Sequence, residues 1–220
     1  MSIKAVIFDL DGTLLDTIDD IADSMNAALA ENRLNPFDTE AYKVFVGSGV
    51  DILVDRVLNG QNITQETKQT VKKSYLDHYR LWQNRLTKPY SGITVLLETL
   101  KQLSISVCVL SNKPDIDTKA VIKSYFEDYP FFTVSGQKPG YPVKPDPKSC
   151  LEIITALNLS KAEILYVGDT GTDMETAVNS GLDAVGVLWG FRQKEELLKG
   201  GASYIIHHPS ELISIIEKRT

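Results

Sequence analysis

The chain has 220 residues, 43% of them hydrophobic, with 23 Lys and Arg against 29 Asp and Glu for a formal net charge of -6. That composition supports a buried core and excludes a disordered chain, and the negative balance excludes a global field that would gather nucleic acid or anionic lipid. Two cysteines, Cys108 and Cys150, lack metal-ligand spacing and read as packing thiols. The first apolar stretch, Ala5 to Phe8, is stopped by Asp9. It falls far short of a signal-peptide core or a membrane span, so a cytoplasmic protein is expected.

In chain order, short apolar runs at Ile3 to Leu10, Ile105 to Leu110, Phe131 to Val134, Glu163 to Val167, Ala184 to Leu188 and Tyr204 to Ile206 predict strands. Several are continuous rather than alternating, as strands buried on both faces should be. Between them, helical spacing predicts helices over Gly92 to Leu103, Ile116 to Phe126, Pro147 to Leu157, Thr172 to Ser180 and Pro209 to Glu217. This alternation predicts an α/β fold, a doubly wound parallel sheet with helices on both faces. From 16 to 86 no strand is evident. Helical patterns there, at Ile18 to Leu29, Val50 to Leu58 and Thr67 to Trp82, predict an all-helical insertion. The expected division is a core of 1–15 and 87–220 with a helical cap of 16–86 hanging over the carboxyl ends of the strands.

Four polar clusters follow strands. Asp9 and Asp11 flank Leu10, so strand alternation points both carboxylates to one side, and Gly12 lets the chain turn before Thr13. Close carboxylates cannot both ionise freely without a cation, which suits them to separate roles as nucleophile and proton donor. Ser111, Asn112 and Lys113 offer a hydroxyl, an amide and an amine to phosphoryl oxygens, and Lys144 adds a second amine before a helix. Asp169, with Asp173 four residues on, supplies the oxygen set that Mg²⁺ prefers, although capping by Thr172 and a helix-dipole role for Asp173 would explain the same residues. In a parallel sheet all four loops open on one crevice. In the cap, Gly47 and Gly49 around Ser48 permit close backbone approach, and Arg56 could reach a carboxylate on the substrate. His207, His208 and Trp189 to Arg192 suggest no chemistry.

On these residues the sequence resembles the haloacid dehalogenase superfamily, over nearly the whole chain. Asp9, Asp11, Gly12 and Thr13 match its Asp-x-Asp-Gly-Thr signature, Ser111 its second motif, Lys144 its third, and Asp169 with Asp173 its fourth. Within it, Asp9 to Thr17, Phe45 to Leu53, Ser111 to Pro114 and Lys144 to Pro147 are similar to the phosphoglycolate phosphatase group. The resemblance implies a Rossmann-like core with a cap and hydrolysis of a small phosphate ester, 2-phosphoglycolate in the narrower match. It further implies Mg²⁺ held by Asp9, the Asp11 carbonyl and Asp169, with Asp173 positioning. Asp9 would be the nucleophile, Asp11 the acid and base, Ser111 and Lys144 the phosphoryl ligands, and Gly12, Thr13, Asn112, Lys113, Gly47, Ser48, Gly49 and Arg56 would contact substrate. The expected partner is a small molecule, with no nucleic acid or membrane, and the chain is expected to be a monomer or homodimer. A pyrophosphatase, a sugar-phosphate phosphatase and a β-phosphoglucomutase share this core. A dehalogenase would lack Asp11, and a phosphonatase would need a cap lysine, for which Lys43, Lys68, Lys72 and Lys73 offer no matching motif. Outside the family, a phosphoacceptor module or a non-catalytic phosphate-binding protein would use similar groups.

Overall fold

The computed structural model describes residues 2–61 and 63–219. Its centre is β1 (Ala5–Phe8), whose four residues are all buried. Such a strand must be covered on both faces, and alternate side chains feed two clusters. Val6 and Phe8 join Leu97, Leu100, Val121 and Leu212 on one side, while Ala5 and Ile7 join Ile153, Met174 and Ala177 on the other. Around β1 lie β4 (Ser106–Pro114), β5 (Thr133–Gln137), β6 (Ile164–Gly168), β7 (Asp183–Val187) and β8 (Tyr204–Ile206). The sheet order is β5-β4-β1-β6-β7-β8, and every pairing is parallel. The connections run outward from β1 to β4 and β5, then return to β6 on its other side. That reversal is a topological switch point, where α/β sheets open a crevice beyond the strand ends.

The helices α5 (Ile93–Gln102), α6 (Asp115–Phe126), α7 (Lys148–Leu157), α8 (Gly171–Ser180), α9 (Lys194–Gly200) and α10 (Glu211–Glu217) cover the sheet. A second group, α1 (Ile18–Glu31), α2 (Thr39–Phe45), α3 (Val50–Val57) and α4 (Gln65–Trp82), follows β1 and shares its own apolar cluster. Met25, Ala28, Leu29, Val54, Val71 and Tyr79 are buried there, with Phe191 entering from the sheet side. Two short strands, β2 (Leu15–Asp16) and β3 (Lys88–Pro89), pair antiparallel where the chain leaves and re-enters the sheet region. Asp20 ties the same junction together by accepting from the Leu86 and Thr87 N–H groups, both at 3.0 Å.

Three features differ from the expected pattern. The helix α2 was not expected; Asp38 caps it by accepting from the Ala41 N–H at 2.8 Å, but Tyr42 is its one fully buried residue, too little for a periodic signal. The same holds for α9, where Leu197 alone is buried. Extended backbone in β4 runs past Leu110 to Pro114, with its register to β5 broken between them, so Ser111 to Lys113 sit on an irregular strand end rather than in a free loop.

Candidate active site

Beyond the switch point the four polar clusters meet. Asp9 leaves β1 with its N–H on the Val167 carbonyl at 2.9 Å, which keeps it in line with the neighbouring strand β6. The Lys144 ammonium donates to Asp9 Oδ1 at 2.8 Å, to Asp173 Oδ1 at 2.7 Å and to the Leu110 carbonyl at 3.1 Å, so one buried cation ties the end of β1 and strand β4 to the first turn of α8. Asp9, Asp169 and Asp173 are all buried, and one oxygen from each lies within 4.8 Å of the others. On the open side, Lys113 grips both oxygens of Asp11 at 2.6 and 2.7 Å and stands over the Tyr79 ring of α4. Thr17 donates to Asp11 Oδ1 at 2.8 Å.

Helix α8 explains how Asp173 is aimed. Thr170 is its N-cap, with the Thr170 N–H and hydroxyl donating to Asp173 Oδ2 at 3.1 and 2.6 Å. The cap is therefore Thr170, not Thr172, and the helix begins one residue earlier than expected. With Oδ2 fixed, Oδ1 is left for Lys144.

The charge arithmetic of the cluster is unfavourable as it stands: three buried carboxylates face one ammonium. Burial and repulsion from Asp173 push the Asp9 carboxyl up to about 7, against the pull of Lys144. Burial, with Asp173 and Asp9, likewise raises Asp169 well above the carboxylate range. For Lys144, burial works downward but Asp173 and Asp9 outweigh it and hold the ammonium well above its usual value. A second cation would relieve this cluster. Oxygens on an octahedral Mg²⁺ at roughly 2.1 Å stand about 3 to 4 Å apart, and the three carboxylate oxygens here lie within 4.8 Å of one another, so the donor set can close on a hard divalent ion.

Asp9, Asp11, Ser111, Asn112, Lys113, Gly47 and Gly49 line one cavity of about 40 Å³ between the sheet edge and α1, α3 and α4. Asn112 also bridges, donating to the Gly47 and Lys144 carbonyls at 3.1 and 3.2 Å and accepting from the Lys144 N–H at 2.8 Å. Gly12, Thr13, Ser48 and Arg56, expected at the substrate, are not among the residues lining this cavity. Gly12, with φ +86, passes so close to Asp169 that a Cβ would overlap its carboxylate, and Thr13 donates to Asp169 Oδ1 at 3.1 Å. Both back the acidic cluster. Arg56 spends its guanidinium on the Val44 and Phe45 carbonyls at 3.2 and 2.8 Å and on the Ser48 hydroxyl at 3.2 Å, closing the end of α2. Lys43, Lys68, Lys72 and Lys73 pair with Glu40, Asp55, Asp51 and Asp77, and none lines the cavity.

Sequence reasoning missed the segment after β7. The Phe191 N–H donates to Asp169 Oδ2 at 2.8 Å and the Trp189 indole N–H donates to the Thr13 carbonyl at 3.0 Å, so this loop holds Asp169 from behind. Gly190 lets it approach, since a Cβ there would collide with Asp169 and the Gly12 carbonyl. The available signal was a glycine just beyond a predicted strand, on the same sheet edge as the four clusters. Gly190→Ala is expected to destabilise the fold by about 1–3 kcal/mol through overpacking. Urea unfolding would check this, and an unchanged midpoint would contradict the contact.

A doubly wound sheet brings carboxylates, a hydroxyl and two amines together at its switch point, a set of groups suited to a phosphate ester, with an acidic triad that could hold a metal ion. The profile of the haloacid dehalogenase-like hydrolases matches residues 6–187, and the chain belongs to that family. It is 29% identical to a phosphoglycolate phosphatase of Mannheimia succiniciproducens, covering 97% of this chain and 98% of that protein. An N-acetylmuramic acid 6-phosphate phosphatase of Pseudomonas aeruginosa is 28% identical, over 99% of this chain and 96% of that protein. Among solved structures, one from Lactobacillus delbrueckii subsp. bulgaricus is 31% identical with a TM-score of 0.90, covering 98% and 99% of the two chains. No helix of the described residues is long and apolar enough to cross a membrane.

Proposed function

We propose that the chain is a Mg²⁺-dependent phosphomonoester hydrolase working through an aspartyl phosphate at Asp9. The observation that carries this reading is the convergence of Asp9, Asp169, Asp173 and Lys144 in one buried cluster, with Asp9 lining one cavity together with the Asp11 and Lys113 pair. Asp9, Asp169 and the Asp11 carbonyl would hold the ion, with Asp173 positioning; the ion supplies charge neutralisation at the phosphoryl oxygens and the carboxylate nucleophile.

The chain's own residues do the rest. Lys144 orients Asp9 and pulls it toward its ionised form, Ser111 donates to an equatorial oxygen, and Lys113 transfers its ammonium from Asp11 to the arriving dianion. An Asp9 oxygen forms the bond to phosphorus as the bond to the ester oxygen breaks, and protonated Asp11 gives its proton to that oxygen. Water then attacks the phosphorus, Asp11 takes its proton, and the Asp9 bond breaks to release inorganic phosphate. Positioning and neutralisation account for most of the rate, because the loose transition state asks little else.

The names of relatives make 2-phosphoglycolate the first ester to assay. The N-acetylmuramic acid 6-phosphate phosphatase covers the chain as fully at nearly the same identity, so likeness alone does not choose the leaving group. The small cavity favours a leaving group of a few atoms.

A metal titration tests the reading. Turnover of p-nitrophenyl phosphate should vanish in chelator and return with Mg²⁺. The folded-state pKa of Asp9 is raised above its ordinary value of 3.8, so the folded protein holds the extra proton and this group's contribution falls as pH rises from about 4 through 7. Mg²⁺ reverses that loss only where the cluster has ionised. The Mg²⁺-induced rise in Tm should therefore be larger at pH 8 than at pH 5. Turnover indifferent to chelator, or a Tm rise that does not grow with pH, would contradict the reading.

A further inference from the structure

The segment between β7 and α9 touches both halves of the molecule. On the sheet side the Trp189 indole and the Phe191 N–H hold the Thr13 carbonyl and Asp169 Oδ2, while the Phe191 ring is buried in the apolar cluster of the cap. Arg192 completes the span. Its Nη2 donates to the Val44 and Val46 carbonyls at 3.0 and 2.8 Å, and its Nε donates to Glu196 Oε1 at 3.2 Å. Glu196 Oε1 also accepts from the Gly171 N–H at 3.0 Å, so the guanidinium is anchored to the start of α8, the helix that aims Asp173. The hydrolytic steps use none of these bonds.

The carbonyls that Arg192 meets belong to a helix end. The last carbonyls of α2 have no partner within the helix, and a guanidinium suits them by its charge and by its fork of donors. Beyond them the chain runs through Val46, Gly47, Gly49 and Val50, which line the cavity. At Gly47 it passes so close to Thr170 that an added Cβ would lie 3.3 Å from the Thr170 methyl, and the Gly47 carbonyl accepts from Asn112 at 3.1 Å. Arg192 therefore fixes the backbone that bounds the cavity on the cap side.

This joint has to open. A cavity of about 40 Å³ has room for only about three water-sized groups, so any ester must displace the cap loop to enter, and a bulky one must displace it further. The Val44 carbonyl is shared with Arg56, whose guanidinium is pulled below its usual value by burial and by the like charge of Arg192. Bonds from a guanidinium to backbone carbonyls can be exchanged for water as the loop leaves, and how far the loop stays seated then depends on them.

We propose that Arg192 is a specificity-determining positioning residue, latching the cap loop of 44–49 to the sheet edge so that small leaving groups are enclosed and bulky ones are turned away. It acts through that backbone and touches no reacting atom. The proposal rests on the phosphatase reading of this cavity.

The test compares acetyl phosphate with p-nitrophenyl phosphate, two phosphoryl donors with good leaving groups of very different bulk. In the full chain with Mg²⁺, Arg192→Ala should lower kcat/KM for acetyl phosphate and hold or raise it for p-nitrophenyl phosphate, moving the ratio at least about tenfold toward the aryl ester. A merely structural role would lower both together. Arg192→Lys keeps the charge but loses the planar fork that spans Glu196 and the carbonyls, and Glu196→Gln loosens that fork; each should move the ratio the same way by roughly threefold. Hydrogen exchange in peptides covering 44–50 should quicken by at least about fivefold in Arg192→Ala. An unmoved ratio or unchanged exchange in a folded Arg192→Ala protein would overturn the proposal, and so would a wild-type enzyme that hydrolyses p-nitrophenyl phosphate but not acetyl phosphate. If Arg192→Ala fails to fold, Arg192→Lys and Glu196→Gln decide, and unmoved ratios in both would overturn it. Failure of the wild-type chain to hydrolyse either compound would bring down the phosphatase reading, and the proposal with it.

Discussion

Replacing Asp9 by Asn is expected to lower kcat for p-nitrophenyl phosphate by at least about 10⁴-fold, the scale seen when a covalent nucleophile is removed. The amide keeps the side chain's shape but has no carboxylate oxygen to attack phosphorus. The fold should survive. Lys144 retains Asp173 at 2.7 Å and the Leu110 carbonyl at 3.1 Å, and the change removes one carboxylate from a cluster that burial already disfavours. The metal-free Tm is therefore expected to hold or rise, and steady-state kinetics beside a melting curve separate lost chemistry from lost structure. Retention of more than a tenth of wild-type turnover would place the nucleophile elsewhere.

Lys144→Met should produce the largest loss of stability. Among the described residues its ammonium is the one cation in hydrogen-bonding contact with the buried carboxylates of Asp9 and Asp173, and the Asp169 carboxylate stands within the same cluster. A methionine fills comparable volume but leaves these charges uncompensated, and stranding one member of a buried ion pair costs about 3–5 kcal/mol. Urea unfolding in chelator at pH 8 should show that loss. At pH 5 the deficit should shrink, because Asp9, already raised to about 7, takes up a proton. A deficit below about 1 kcal/mol at pH 8, or one that does not shrink at low pH, would contradict the ion-pair account. Turnover should also fall by about 10²–10³-fold, since the ammonium that orients the Asp9 carboxylate is lost.

The sheet and much of the site were legible because both rest on side chains. The strands β1 and β6 are buried along their whole length, which a continuous apolar run reports directly. The placing of Asp9, Asp11, Ser111, Lys144 and Asp169 followed from one geometric fact, that parallel strands end on a common edge. What escaped notice depends on backbone or on tertiary partners. The Phe191 N–H that braces Asp169 carries no side-chain signature, and neither do the Val44 and Phe45 carbonyls that claim Arg56. The pairing of Asp117 on α6 with Arg80 on α4 is tertiary and leaves no local pattern, and Tyr75 and Tyr79 read only as helical periodicity. The two-residue pair β2 and β3 joins segments more than seventy residues apart, beyond any local pattern.

The central claim is a covalent bond between phosphorus and one particular side chain. It is tested most directly by quenching the enzyme in acid during turnover, reducing with borohydride, and mapping peptides by mass. An acyl phosphate at Asp9 would be reduced to the alcohol, converting that residue alone to homoserine in a substrate-dependent way. Conversion at another residue, or none while phosphate is being released, would contradict the account.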